Sequence, residues 1–95
     1  MSKMAIILPG QVYLSEDHNE YLVVLKSVKG DIVYKGIGFG GRHDWELFME
    51  RFKPVNPVDL TEDEAKTLKS FLDEGTELSI GWVQWENEEE EFVDD

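Results

Sequence analysis

The sequence predicts an α+β protein: a small antiparallel sheet of four to five strands, a meander or partly rolled, with two amphipathic helices inserted before the last strand. Three observations carry this. Up to residue 35, β-branched and aromatic runs alternate with turn residues. Between residues 44 and 75, two apolar stripes recur at helical spacing, each behind an N-cap residue. From Thr76 to Trp85 the pattern returns to strand. Residues 1–85 read as one domain and 86–95 as an acidic tail.

Taken in order, residues 4–8 form a short apolar run ended by Pro9-Gly10, a buried strand followed by a turn. Residues 11–14 alternate in part and stop at the polar cluster 15–20. Residues 21–28 are the strongest strand of the chain. Lys29-Gly30-Asp31 is a tight turn, and residues 32–35 pair back as a hairpin. Trp45, Phe48, Met49 and Phe52 fall at i, i+3, i+4 and i+7, the apolar stripe of a helix with Asp44 at its N-cap and Pro54 and Pro57 at its end. A second helix begins at Thr61, where Thr61 and Glu64 form a capping box. Its inner face is Ala65, Leu68, Phe71 and Leu72, and Gly75 is the expected left-handed residue after it. In the last strand Leu78, Ile80 and Trp82 share a face.

Charge is distributed unevenly, and this narrows the function classes. Net charge is -12, with four acids against five bases up to Arg42 and seventeen against four from His43 onward. Such a surface repels nucleic acid and anionic membrane and attracts basic proteins. The composition, 41% hydrophobic and 12% aromatic, is that of a folded domain rather than a disordered chain. Cysteine is absent, which excludes disulfides and thiolate metal sites. The longest apolar runs fall far short of the roughly 20 residues of a membrane span. Pro9-Gly10 cuts off any signal-peptide core, so the expected location is the cytoplasm.

Four groups of residues are candidate sites. Gly36-Ile37-Gly38-Phe39-Gly40-Gly41 matches GxGxxG between a strand and a helix, the context of a pyrophosphate cradle. The preceding strand, however, belongs to an antiparallel hairpin, and the acid expected about 20 residues on is Asp59 in a Pro-flanked loop. The blander expectation is a flexible connection or a bulged strand end. As a loop it still offers Gly38, Phe39, Arg42 and His43 as a secondary binding candidate. His18 follows Asp17 and His43 precedes Asp44, yet nothing in the sequence brings the two histidines together. Asp44 as a cap and His18 in a polar loop account for both. Asp59, Glu62, Asp63 and Glu64 crowd the first turn of a helix, where the dipole stabilises carboxylates by about 0.3–1 kcal/mol each. Glu62–Lys66 and Lys69–Asp73 are spaced as intrahelical pairs. No catalytic group, cofactor site or metal site is expected.

The remaining candidate is the segment Trp82-Val83-Gln84-Trp85 with the carboxylates after it. Trp82, Trp85, Glu86, Glu88, Glu89, Glu90, Glu91, Phe92, Asp94 and Asp95 read either as an acidic-aromatic arm that docks on a basic groove or as a solubilising tail. Both readings stay open at this level.

This small, cysteine-free, acidic and aromatic chain resembles, in type, the host-takeover proteins of bacteriophages. Residues 10–55, with strands at 11–14, 21–28 and 32–35 followed by Phe48-Met49-Glu50-Arg51-Phe52-Lys53-Pro54-Val55, are similar to short phage-type SH3-like barrel proteins. The resemblance implies a host-cytoplasmic inhibitor, of which the DNA mimics are one kind. The expected function is therefore a non-enzymatic protein that engages a basic, nucleic-acid-binding host protein, with no membrane and no direct nucleic-acid contact. A phage structural or assembly accessory protein is the alternative, and a small nucleotide-binding domain using the Gly36–Gly41 loop is the more distant one.

Overall fold

A computed structural model describes residues 7–81, and in that span the strands and helices follow the order β1 (Gln11–Ser15), β2 (Glu20–Val28), β3 (Asp31–Gly36), β4 (Phe39–Asp44), α1 (Trp45–Arg51), β5 (Phe52–Val55), α2 (Glu62–Ser70) and β6 (Ser79–Ile80). The protein is α+β and its sheet is mostly antiparallel. It consists of two three-stranded ladders, β5-β1-β6 and β2-β3-β4. Six strands replace the expected four to five among the described residues. Residues 82–95, including Trp82 and Trp85, lie outside them, as do residues 1–6.

β2 and β3 meet at Lys29 and Gly30, both at positive φ (51° and 86°), the geometry of a two-residue turn whose twist matches the strands it joins. A register shift between Val24 and Lys26 leaves Leu25 as the extra residue of a bulge in β2. Strand alternation then sorts the apolar residues into two layers. Tyr13, Leu22, Val24, Ile32 and Tyr34 join Phe48 of α1 and Phe52 of β5 in one buried cluster. Val12 and Val23 join Leu68 of α2 in a second, ringed by half-buried Tyr21, Leu25, Leu60, Phe71 and Leu72. Burial of both faces explains why residues 21–25 carry no polar position.

Both helices begin where the sequence places them. The Asp44 carboxylate accepts the Leu47 amide at 2.8 Å, and the Thr61–Glu64 capping box is complete. Their ends differ from expectation. α1 stops at Arg51, before Pro54, and Phe52 leaves the helix at φ -121° to open β5. β5 pairs antiparallel with β1 through Val12–Val55, Tyr13–Pro54, Leu14–Lys53 and Ser15–Phe52. Proline is tolerated there because β5 is an edge strand. Gly75 does sit at φ 93°, but in the turn after α2 rather than directly at its C-cap, which is Phe71.

The GxGxxG run is neither a flexible connection nor a bulged strand end. It is the β3–β4 hairpin, with Gly36 paired to Phe39 and the turn at Ile37-Gly38. The last strand also departs from the expected form. Among the described residues of the predicted 76–85 strand, only Ser79–Ile80 is extended and paired, and it runs parallel to β1. Ile80 is exposed. Gly10 joins the two ladders: its amide donates to the Val24 carbonyl at 2.9 Å, and its carbonyl accepts from the Ser79 amide at 2.8 Å. Of the expected strand at residues 4–8, only Ile7 and Leu8 are described, and they belong to no strand.

Candidate functional site

β3 and β4 carry an aromatic run that takes in both histidines. Phe39 lies face to face with His18, ring centroids 4.0 Å apart and planes within 5°. His18 is itself fixed by Ser15, whose Oγ accepts the His18 amide and shares a 2.9 Å hydrogen bond with its Nδ1. Phe39 also leans on Tyr34, whose hydroxyl lies 3.1 Å from His43 Nε2. The His43 ring then packs along Phe52. The glycines of the run have a steric role. A Cβ on Gly36 would overlap the Phe39 ring, and one on Gly41 would press on the Tyr34 hydroxyl at 3.0 Å.

The two histidine–aspartate pairs of the sequence are therefore not chemical pairs. Asp17 faces Arg51 at 3.6 Å, and Asp44 caps α1. The proton equilibrium of Tyr34 is perturbed. Burial raises its pKa above the ordinary tyrosine value, and the Arg51 guanidinium partly offsets the rise. At neutral pH Tyr34 is a protonated, buried hydroxyl held against an imidazole. Among the described residues no three potential metal ligands converge.

Gly38 occupies the turn at φ 92°, with no neighbour close to where a side chain would stand. Phe39 and His43 are half-buried in the aromatic run. Arg42 points outward and forms a 2.9 Å exposed ion pair with Asp31, of a kind worth no more than about 1 kcal/mol. These four residues are close along one hairpin but do not form a common surface. Trp82, Trp85, Glu86, Glu88, Glu89, Glu90, Glu91, Phe92, Asp94 and Asp95 fall outside the described residues.

The outer face of α1 forms a shallow, open cleft. Trp45, Glu46, Met49 and Glu50 line an open space of about 490 Å³. Trp45 is 38% exposed, so its place in the apolar stripe does not bury it. Phe48 takes the inward position and is fully buried. Met49 packs partly against the core from the cleft floor. Glu46 and Glu50 stand one helical turn apart on the same face, and neither is ion-paired among the described residues. The sequence held a signal for this site: Trp-x-x-x-Met and Glu-x-x-x-Glu run as adjacent columns. The helical stripe assigned the tryptophan to the core and hid it.

A smaller cleft lies between the bulge of β2 and the end of α2, lined by Leu25, Lys26, Phe71, Leu72 and Asp73. Across it the Lys35 ammonium sits 5.0 Å from the centre of the Phe71 ring. Two other lysines are engaged in ion pairs: Lys53 with Glu16, and Lys69 with Glu77 rather than with Asp73 in its own helix. No protein-family model, curated protein or solved structure matches this chain.

Proposed function

We propose that this chain is a non-enzymatic acidic binding protein that engages a basic, nucleic-acid-binding protein and inhibits or modulates it, as a DNA mimic does. The observation that carries the reading is the surplus of uncompensated carboxylates. Residues 7–81 hold fourteen acids against eight bases. The ion pairs among them use Glu16, Asp17, Asp31 and Glu77. Glu46, Glu50, Asp59, Glu62, Asp63, Asp73 and Glu74 stay exposed and without an ion pair among the described residues. A field of that sign steers a cationic partner and excludes nucleic acid itself.

Two further features support it. The strand order, with β5 returning to β1 after the β2-β3-β4 meander, accords with a partly rolled, SH3-like sheet. The small, acidic, cysteine-free chain accords with the phage host-takeover type. In this reading Glu88, Glu89, Glu90 and Glu91 add to the steering field. Changing all four to Gln lowers the association rate and flattens its salt dependence.

The test is capture from host lysate at two salt concentrations, then competition on the captured protein with duplex DNA. A basic protein held at low salt and displaced by duplex DNA supports the reading. A neutral or acidic partner, held without regard to salt or DNA, overturns it.

A further inference from the structure

We propose that the cleft on α1 receives an arginine side chain of the basic partner, the guanidinium lying on the exposed face of Trp45 between the carboxylates of Glu46 and Glu50. The inference rests on the reading above that the partner is basic, and it specifies where contact is made and by which group.

Four properties of the cleft agree on this occupant. Among the described residues its apolar floor is an indole and a thioether, Trp45 and Met49, and its polar rim consists of carboxylates, Glu46 and Glu50. A planar cation satisfies both, since a guanidinium stacks on an aromatic face and donates in pairs to carboxylate oxygens. The two glutamates repel each other at i,i+4 on a helix only seven residues long. No cation of the described residues relieves that repulsion, although Lys53, Arg51 and Arg42 neutralise Glu16, Asp17 and Asp31 elsewhere. Finally, the cleft is held in place from below. Phe48 is fully buried, the Asp44 side chain caps the helix, and the Trp45 amide donates to the Gly30 carbonyl at 3.1 Å. The helix that carries the ring and the carboxylates is therefore in place before the partner arrives, which lowers the entropic cost of binding.

The probe is the peptide acetyl-Gly-Arg-Gly-Arg-Gly-amide, titrated into the full chain at 50 mM salt and followed by ¹H–¹⁵N NMR. Its controls are the same peptide with citrulline or with lysine in place of arginine. The Trp45 indole signal is assigned by its loss in Trp45→Phe. The expected result is a shift of that indole and of the amides of residues 45–50, absent with citrulline and weaker with lysine. The double variant Glu46→Gln, Glu50→Gln keeps its spectral dispersion, because both side chains are exposed, and binds at least about fivefold more weakly, as two exposed charge contacts require. Shifts confined to residues 86–95 would overturn the cleft as the contact and leave the basic-partner reading standing. No shift anywhere with either cationic peptide would count against both. Equal response to lysine would overturn the arginine assignment, and an unchanged affinity in the double variant would overturn the carboxylate contact.

Discussion

The sheet has two covered faces, and they are built differently. Under α1 the core is built around rings, with Leu22, Val24 and Ile32 buried alongside them. Tyr13 meets Phe48 edge to face at 4.7 Å, Phe48 meets Phe52 at 4.9 Å, and Tyr34 meets Phe52 at 5.0 Å. Under α2 the fully buried residues are the aliphatic Val12, Val23 and Leu68, surrounded by half-buried neighbours. Aromatic pairs add about 0.5–1.5 kcal/mol each beyond the area they bury, and only in a narrow set of orientations. Aliphatic side chains have no such angular demand and can close over a gap. The ring-built face thus fixes α1 and its outward cleft in one arrangement, while the aliphatic face holds α2 with more tolerance.

The sharpest way to break that contrast is to remove one centre from each side. Phe48→Ala should cost about 3–5 kcal/mol, close to the whole stability of a small domain, and should leave a chain that is unfolded by circular dichroism at 25 °C. Leu68→Ala should fall at the low end of its range, about 2–3 kcal/mol, because the half-buried ring around it can collapse inward. Equal losses in urea melts would remove the distinction between the faces.

Gly10→Ala tests the joint between the ladders. The new Cβ would meet the Glu77 carbonyl oxygen, and φ is 95°, a region costly for any side chain. A loss of about 1–3 kcal/mol is expected, with β6 amides losing hydrogen-exchange protection first. A loss spread evenly over all strands would mean that β6 is not separately held.

Thr61→Ala removes the acceptor for the Glu64 amide and should cost about 1 kcal/mol. Its effect should appear as fraying of α2 with the α1 face unchanged. The smallest effect sits in the ring-built face. Tyr34 has a raised pKa in the folded state, so the folded chain keeps that proton where the unfolded chain gives it up. Its contribution is present in full below the unfolded value of 10.0 and is lost as pH climbs beyond it through the folded pKa. Alkaline melts should therefore show a loss of stability above about pH 10 that Tyr34→Phe reduces. A profile identical in the variant would place the alkaline loss on another tyrosine.

Half of the candidate surface was legible from the chain and half was not. The acidic bias is a property of composition, so it needs no fold to be read. The exposure of Trp45 is a property of packing. Trp45 and Phe52 belong to the same helical stripe in the sequence, yet the one stays 38% exposed and the other leaves the helix to become a strand. The two histidines, 25 positions apart, join one aromatic run only because β4 carries Phe39 and His43 to either side of Tyr34 on β3.

What the sequence determined by itself are the features whose causes lie within a few residues. The Asp44 cap, the Thr61–Glu64 box, the Lys29-Gly30 turn and the β2–β3 hairpin all depend on neighbours along the chain, and the structure places them there. What only the tertiary structure decided are the strands with little local preference for being strands. β4 reads Phe-Gly-Gly-Arg-His-Asp, and it is extended because β3 supplies its hydrogen bonds and Gly36 and Gly41 leave room for two rings. β5 contains a proline and continues a helical stripe, and it is extended because β1, some forty residues away, pairs with it. β6 is only two residues long, and it is a strand because β1 pairs with it in parallel and the Gly10 carbonyl accepts the Ser79 amide. Caps and turns are settled by bonds within one or two turns of chain, whereas a ladder bond takes a partner whose position exists only after the rest has folded.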